Sequence, residues 1–234
     1  SPSGGGNGVL VGGRYVANAH DVNTAAAIDG DFEDPTAISL VINGTVITPI
    51  KASSDNPDDT TLDLADAVAS INASNAGVTA SAFNEVRAKF AGDGILDFAT
   101  TLEITVTPFG DNNSDTVVQV SGTNSLQEVV DQINAKGGAG TVQARIDETG
   151  RLVLFNNTGY KIAVADNSDG NANGGGASGI ADGDEFEGFL KLESNDGGPI
   201  TVDTNFIAMG SDEDASADYL ATLGLQRNVK QVTG

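Results

Sequence analysis

One short segment occurs twice in the chain and constrains its fold more than any other feature. The first copy, residues 64–72, reads LADAVASIN, and the second, residues 126–134, reads LQEVVDQIN. Both place apolar residues at the spacing of one helix face and both end in Ile-Asn, so each is predicted to be a short amphipathic helix. The apolar positions are Leu64, Val68 and Ile71 in the first copy and Leu126, Val129, Val130 and Ile133 in the second.

The chain around these two segments is repeated as well. A β-rich run precedes each of them, at residues 38–47 and at residues 102–109. A constant offset between corresponding residues indicates a duplicated strand–loop–helix–strand unit. We therefore predict an α+β fold of two tandem small units, each a mainly antiparallel β-sheet packed on one short α-helix, plus a C-terminal β-hairpin region. Three residue pairs share an offset of 62 positions: Leu40 and Leu102, Leu64 and Leu126, and Asn72 and Asn134.

Glycine-rich and low-complexity stretches place the boundaries between these units. The segment Ala91-Gly-Asp-Gly94 separates a first unit, residues 1–92, from a second unit, residues 93–165. Within the first unit, residues 1–8 are interpreted as a linker. Residues 166–234 are interpreted as a Gly/Asn-rich loop, a closing β-hairpin and an exit segment.

Local signals predict where several elements begin and end. Asn43-Gly44 after Ile42 is the strongest short hairpin signal, so residues 39–42 and 45–48 are predicted to pair across a primed turn. Gly12-Gly13 predicts another turn, between strands at 9–11 and 14–17. The other predictions are a helix cap at Thr60 or Thr61, a capping box of Ser125 with Glu128, helix ends near Asn75 and Gly77 and at Gly137, separate strands at 78–83 and 86–90, and hairpins at 141–155 and 186–204.

Composition limits the partners. There are 33 acidic and 11 basic residues, for a net charge of −22. Such a surface repels phosphate backbones and anionic lipid headgroups, so nucleic acids and membrane surfaces are excluded as partners. Weak divalent cation binding by the acidic loops stays an alternative, although none of them has the alternating acids and closing Glu of an EF-hand. With 39% hydrophobic but only 5% aromatic residues, thin aliphatic cores are expected.

The sequence contains no catalytic constellation. His20 is the single histidine, cysteine is absent, and Gly174-Gly-Gly176 lacks the Lys-Ser/Thr of a phosphate-binding loop. A glycosidase would need a buried acid in a deep cleft, which small units of this kind do not offer. We therefore predict that the chain is not an enzyme and that it has no catalytic, cofactor or metal site. Glycosylation sequons occur at Asn43, Asn72, Asn112 and Asn156.

The repeated unit resembles the flagellin IN motif, a strand–loop–helix module of the variable outer regions of bacterial flagellins and some hook-associated proteins. The resemblance covers residues 38–225. The residues that carry it are Ile42, Asn43, Gly44, Leu64, Val68, Ile71 and Asn72, followed by residues 77–80, in the first copy, and Leu126, Val130, Ile133 and Asn134, followed by residues 142–144, in the second.

This resemblance implies a structural function, as the solvent-exposed outer domain of a flagellar filament subunit at the extracellular surface of the flagellum. It implies neighbouring flagellin subunits as partners, a monomeric state for the isolated fragment, and export as an unfolded chain. The alternatives are the outer domain of a hook-associated or filament-cap protein, and an adhesion or carbohydrate-binding module displayed on the filament. The last would need an aromatic platform, and the chain has no Trp and three Tyr.

Overall fold

The computed structural model describes residues 8–16, 38–47, 63–110, 114–166, 168, 176–206 and 220–229. Its strands pair in antiparallel fashion and its helices are short, which confirms the α+β class. The elements are β1 (Val9–Arg14), β2 (Ile38–Ile42), β3 (Thr45–Val46), α1 (Leu64–Ala73), β4 (Val78–Arg87), β5 (Ile95–Leu96), β6 (Leu102–Thr107), β7 (Thr116–Val120), β8 (Thr123–Asn124), α2 (Leu126–Lys136), β9 (Gln143–Ile146), β10 (Leu152–Asn156), β11 (Lys161–Asp166), β12 (Glu185–Phe186), β13 (Phe189–Ser194) and β14 (Val202–Phe206).

The chain forms two compact units, and neither is continuous in sequence. They group the chain differently from the three consecutive segments of the sequence analysis, because β13, late in the chain, pairs with β1. Strand β4 begins in unit 1 and ends in unit 2. Unit 1 comprises Ser1–Ala82, Phe109–Asn112 and Phe189–Gly234, and unit 2 comprises Phe83–Pro108 and Asn113–Gly188.

Unit 1 contains two small sheets and α1. One sheet has the order β14-β2-β3, and in the other β13 lies between β1 and the first part of β4. Helix α1 buries Leu64, Ala67 and Ile71, whereas Val68 is only partly buried. The fully buried core residues that the structure describes in this unit are aliphatic apart from Tyr15, as the low aromatic content predicts.

Unit 2 contains α2 and three sets of paired strands. Their orders are β12-β11-β6-β7, the second part of β4 with β10 and β9, and β5-β8. Strand β6 shows why these residues form strands: Leu102, Ile104 and Val106 are buried and alternate with the partly exposed polar residues Glu103, Thr105 and Thr107. Helix α2 contributes Leu126, Val129, Val130 and Ile133 to the same core.

The start of each helix is capped by side chains. Asp63 Oδ1 accepts a bond from Asp66 N (3.0 Å) and Asp66 Oδ2 accepts one from Asp63 N (3.1 Å), so α1 has a complete capping box. The cap is therefore Asp63, and the prediction of Thr60 or Thr61 was wrong. Because aspartate accepts bonds as well as threonine does and also favours the positive end of the helix dipole, it takes the capping position.

In α2 only one of the two bonds of the predicted capping box forms at Ser125, because the Glu128 side chain binds the residue before it. Ser125 Oγ accepts a bond from Glu128 N (3.2 Å), as predicted, but Glu128 Oε2 accepts from Asn124 N (2.8 Å). The predicted helix ends are confirmed: Asn75 and Gly77 follow α1 with positive φ, and α2 ends at Lys136 with Gly137 as its cap.

The Asn43-Gly44 hairpin is confirmed, because both residues have positive φ and β2 pairs with β3 across them. The turn predicted at Gly12-Gly13 is wrong. Both glycines lie within β1, whose register with β13 shifts between Val11 and Arg14. Gly13 N donates to Gly224 O (2.8 Å), so this pair of glycines permits a close backbone approach.

The closing hairpin predicted at 186–204 is also wrong. Its two strands separate after the turn that follows β13, since β13 pairs with β1 and β14 pairs with β2. The two strands predicted at 78–83 and 86–90 are one strand, β4. The hairpin of β9 and β10 is confirmed. The acidic loop at 21–35 and His20 lie outside the described residues.

Candidate functional site

The Ile-Asn pair that ends each repeated segment joins the helix to the strand that follows it. In the first copy, Asn72 Oδ1 accepts a bond from Ala80 N (2.7 Å) and Asn72 Nδ2 donates to Ala80 O (3.0 Å). The preceding Ile71 is completely buried in the core of unit 1. One residue of the pair therefore fills the core, and the next fixes the helix end to β4.

The second copy has the same arrangement in unit 2. Asn134 Oδ1 accepts from Ala144 N (2.8 Å), Asn134 Nδ2 donates to Ala144 O (3.0 Å), and Ile133 is completely buried. Both alanines belong to a Val-x-Ala sequence whose valine is buried as well, Val78 and Val142. We call this two-bond contact between the motif asparagine and the alanine backbone the Asn–Ala clamp.

The structure brings together most of the predicted motif residues, unit by unit. Leu64 and Ile71 share one core, and Leu126, Val130 and Ile133 share the other. Val68 is partly buried and packs against the core of unit 1, and Ala67 beside it is completely buried. The periodicity of the large apolar residues did not indicate that Ala67 is buried as well.

Asn43 has a second function beyond shaping its turn. Its Oδ1 accepts a bond from Thr201 N (2.9 Å), and its Nδ2 donates to Ala76 O (3.1 Å), within unit 1. Ile42 beside it is completely buried, and Gly44 follows with φ 77°. The turn thus links β2, the end of α1 and the start of β14.

Three of the four sequon asparagines have amide groups that bond to the backbone. The Nδ2 atoms of Asn43, Asn72 and Asn156 donate to the carbonyls of Ala76, Ala80 and Tyr160. A glycan on any of these nitrogens would replace one of its two hydrogens and crowd the contact. Asn112 lies outside the described residues.

Asp147 is an acid of unit 2 whose carboxylate accepts several bonds. Its Oδ1 accepts bonds from Thr149 Oγ1 (2.6 Å), Thr149 N (2.8 Å) and Arg151 N (3.0 Å), and its Oδ2 lies 3.2 Å from Arg87 Nε as an ion pair outside hydrogen-bond geometry. The hydroxyl of Thr149 contributes most to lowering the pKa of Asp147 to about 2, and burial opposes it. The charged carboxylate therefore holds the turn between β9 and β10.

The carboxylate of another buried acid, Asp166, accepts bonds from two serines. Its Oδ1 accepts from Ser168 N and Oγ, and its Oδ2 accepts from Ser178 N (2.9 Å) and Oγ (2.5 Å). Within the described ranges, no three acid or imidazole groups come close enough to hold a metal ion. None of the helices found there is long and apolar enough to cross a membrane.

The most exposed apolar side chain that the structure describes lies in a hydrogen-bonded turn of unit 2. Phe98 is 89% exposed, and Ile95 on β5 is 58% exposed. Asp97 Oδ1 accepts bonds from Ala99 N (2.7 Å), Thr100 N (2.6 Å) and Thr100 Oγ1 (2.8 Å), and these bonds lower the pKa of Asp97. We call residues 93–100 the Phe98 turn. Nothing in the spacing of the sequence indicated an exposed Phe here.

Comparison with known proteins identifies part of the chain. Residues 103–158, which include the second copy, match the family model described as the Flagellin hook IN motif, so this segment is a flagellin hook IN motif domain. The family is a flagellar one, and its description names no enzymatic activity. No curated protein matches the chain.

A distant structural likeness exists to the crystal structure of the flagellar cap protein FliD D1-D2-D3 domains from Escherichia coli. The TM-score is 0.29 and the sequence identity 12%, over 88% of this chain and 64% of that chain. This chain therefore spans less than two thirds of the length of that solved chain.

Proposed function

We propose that this chain is the solvent-exposed outer part of a bacterial flagellar filament subunit, and that it forms filament surface and contributes to motility. The observation that carries the proposal is the IN motif domain at residues 103–158. The Asn–Ala clamp extends the argument to the first copy, because Asn72 and Asn134 make the same two bonds to a Val-x-Ala strand. A chain that carries this flagellar module twice is better suited to a structural function in the filament than to catalysis.

The proposal includes location and partners. The chain would lie at the extracellular filament surface, beside neighbouring copies of the same subunit. A net charge of −22 would keep such a crowded surface hydrated and would keep parallel filaments apart. The divisions at 92/93 and 165/166 are proposed as boundaries between sequence repeats, which differ from the compact units of the fold.

Two alternatives predict different positions or contacts. A cap or hook-associated protein would carry the same module at one end of the filament. A carbohydrate-binding module would need an exposed aromatic platform, and Tyr15 is buried in the core of unit 1. The match to the flagellin hook IN motif favours the structural function over the binding one.

The first experiment deletes the region that encodes residues 1–234 from the gene of the full filament subunit that this proposal implies. Intact but thinner filaments with normal length would support a surface domain, since the filament core would assemble without it. Absent or unstable filaments would contradict a purely surface role. Swimming speed in liquid and in viscous medium would then measure the contribution to motility.

The second experiment separates filament subunit from cap or junction protein. An epitope inserted at Gly150, in the exposed turn after β9 and with no atom within 4 Å of an added Cβ, leaves both cores untouched. Antibody labelling along the whole filament would support a filament subunit. Labelling only at the tip or only at the base would contradict it and would assign the cap or the junction. An insertion after Gly183, another open turn of unit 2, serves as the control for position.

A further inference from the structure

Residues 220–229 pack against two strands of unit 1, and we call them the latch. Gly13 N donates to Gly224 O (2.8 Å), so the latch contacts β1 at its pair of glycines. Val16 N, shortly after β1, donates to Thr222 O (3.1 Å). The first half of the latch is therefore held to β1 by backbone hydrogen bonds.

The second half of the latch is held to β14 by Asn228. Its Oδ1 accepts a bond from Val202 N (2.6 Å), its Nδ2 donates to Ile200 O (2.8 Å), and its backbone N donates to Val202 O (3.1 Å). Arg227 Nε lies 2.7 Å from Asp203 Oδ1 as an ion pair. The latch thus connects β1 and β14, which belong to different sheets of the same unit.

Between these contacts, the latch places three leucines in the core of unit 1. Leu220, Leu223 and Leu225 are each only 2–3% exposed and belong to the same buried cluster as the apolar residues of α1. Opening the latch would expose the leucines to water and remove the bonding partners of backbone groups on β1 and β14. The closed state is therefore the favoured one.

The latch also has internal hydrogen bonds. Leu225 N donates to Leu220 O (2.9 Å) and Gly224 N donates to Ala221 O (2.9 Å), with the φ of Gly224 at 70°. This pair of bonds is the pattern with which helices end at a glycine, and the apolar residues on either side of it are both buried. Because these bonds lie within the latch, they need not break when it leaves the core. Strand β13, in contrast, lies between β1 and β4 and cannot leave without dividing its sheet.

We propose that the latch opens and closes as one piece while the rest of unit 1 stays folded. Proteins open locally in contiguous cooperative segments, at free energies below that of global unfolding. Closing the latch completes unit 1 and requires residues that follow β14, whereas unit 2 ends at Gly188. In a chain that emerges from its N-terminal end, unit 2 is therefore complete before unit 1. This inference does not depend on the position of the chain in a filament.

Native-state hydrogen exchange of the whole chain, measured by NMR at increasing urea concentrations below the unfolding transition, tests the latch. The core reference amides are Ile47, whose N donates to Leu40 O (2.8 Å), and Ile71 in α1. After correction for intrinsic rates, we expect the latch amides to exchange at least about tenfold faster than the reference amides. Their rates should also depend less on urea, because opening the latch exposes less surface than unfolding the unit. The latch amides are those of Gly13, Val16, Val202, Leu223, Gly224 and Leu225.

Gly224→Ala is designed to open the latch. A Cβ at this position would lie 2.1 Å from Gly13 O, so the substituted latch cannot approach β1 as before. Gly197→Ala is the matched control in the same unit, because Gly197 also has a positive φ, 76°, but an added Cβ would have no atom within 4 Å. We expect the latch amides to exchange at least about tenfold faster in Gly224→Ala than in Gly197→Ala. Ile47 and Ile71 should stay protected in both variants.

Three results would overturn the inference. Equal rates and equal urea dependence of the latch and reference amides in the unsubstituted chain would show that the latch opens only when unit 1 unfolds. Loss of protection at Ile47 and Ile71 in Gly224→Ala would show that unit 1 does not stay folded without a closed latch. Equal exchange of the latch amides in Gly224→Ala and Gly197→Ala would show that the contact of Gly224 with β1 does not hold the latch closed.

Discussion

At the scale of single residues, the motif asparagine works because its side-chain amide has the same groups as a peptide bond. One oxygen accepts and one nitrogen donates, so Asn72 and Asn134 each satisfy the N–H and the C=O of one alanine. Aspartate lacks the donor, and glutamine is longer by one methylene group. This explains why asparagine, rather than another polar residue, follows the buried isoleucine.

The first prediction concerns Asn72→Ala and Asn134→Ala. Each substitution removes two hydrogen bonds and leaves the N–H and the C=O of a buried alanine without these partners. Each should therefore lower the free energy of unfolding by about 1–3 kcal/mol. Urea denaturation measures the loss. Gln127→Ala is the control on α2: it removes one exposed bond to Asp131 and should change stability by only a few tenths of a kcal/mol, about the value of such pairs. Equal effects of all three substitutions would contradict the clamp.

The second prediction concerns how the folding stability that Asp147 contributes depends on pH. Its folded-state pKa of about 2 lies below the ordinary value of 3.8. The stability that the charged carboxylate contributes is therefore present above about pH 4 and is lost as the pH falls towards about 2.

Asp147→Asn keeps an oxygen for Thr149 and Arg151 but has no charge to lose. The difference in unfolding midpoint between wild type and this variant should shrink as the pH falls from about 5 to about 2.5. Glu148→Gln, at an exposed neighbouring position, is the control. A difference that stays constant over this range would show that the carboxylate charge does not stabilise the turn.

At the scale of elements, the structure follows the sequence where the signals are local. The Asn43-Gly44 hairpin, the α2 helix and the hairpin of β9 and β10 each depend on residues a few positions apart, and each was predicted. Pairing between distant strands was not. Residues near 190 pair with β1, and residues near 204 pair with β2, and nothing in the alternation of a strand specifies its partner.

The candidate site shows the same limit. The repeat identified the Ile-Asn pair, but the atoms that bind the asparagine lie 8 residues further on in one copy and 10 in the other, across a turn. The exposure of Phe98 was not predictable, because a phenylalanine in sequence is expected to be buried. The turn predicted at the two glycines of β1 was wrong because glycine permits a close backbone approach as well as a turn.

The third prediction tests the two helices. Ile71→Ala and Ile133→Ala each create a cavity in a closed aliphatic core and should each lower stability by about 2–5 kcal/mol. Hydrogen exchange should show the loss first in the unit that contains the substitution, unit 1 for Ile71 and unit 2 for Ile133. Val117→Ala, at a half-exposed valine of β7, should change stability by less than about 0.5 kcal/mol. Unchanged unfolding of both isoleucine variants would show that the helices do not close the cores.

At the scale of the whole molecule, charge is the dominant property. A net charge of −22 on 234 residues means that folding brings like charges together, and the described ion pairs offset only a few of them. Screening by salt reduces this repulsion, because the Debye length falls from about 30 Å at 0.01 M to about 8 Å at 0.15 M.

The fourth prediction is that sodium chloride stabilises the chain. Raising its concentration from about 0.01 to about 0.3 M should raise the unfolding temperature by a few degrees, which scanning calorimetry measures. A lower unfolding temperature would show that ion pairs outweigh repulsion. Calcium chloride at equal ionic strength tests the alternative of weak divalent cation binding. An additional rise with calcium beyond that with sodium would support such binding, and equal rises would leave only screening.

The Asn–Ala clamp has a further consequence for a chain that works among many identical neighbours. Among the strands that the structure describes, β9 lies at the edge of its sheet, and that edge could otherwise accept a strand from another molecule. The side chain of Asn134 bonds the N–H and the C=O of Ala144 on that edge, so an added strand could not pair with them. We expect Asn134→Ala to aggregate faster than Gln127→Ala under conditions in which both are folded, as light scattering would record. The Ile-Asn pair would then protect each molecule from the β-sheet association that crowding promotes.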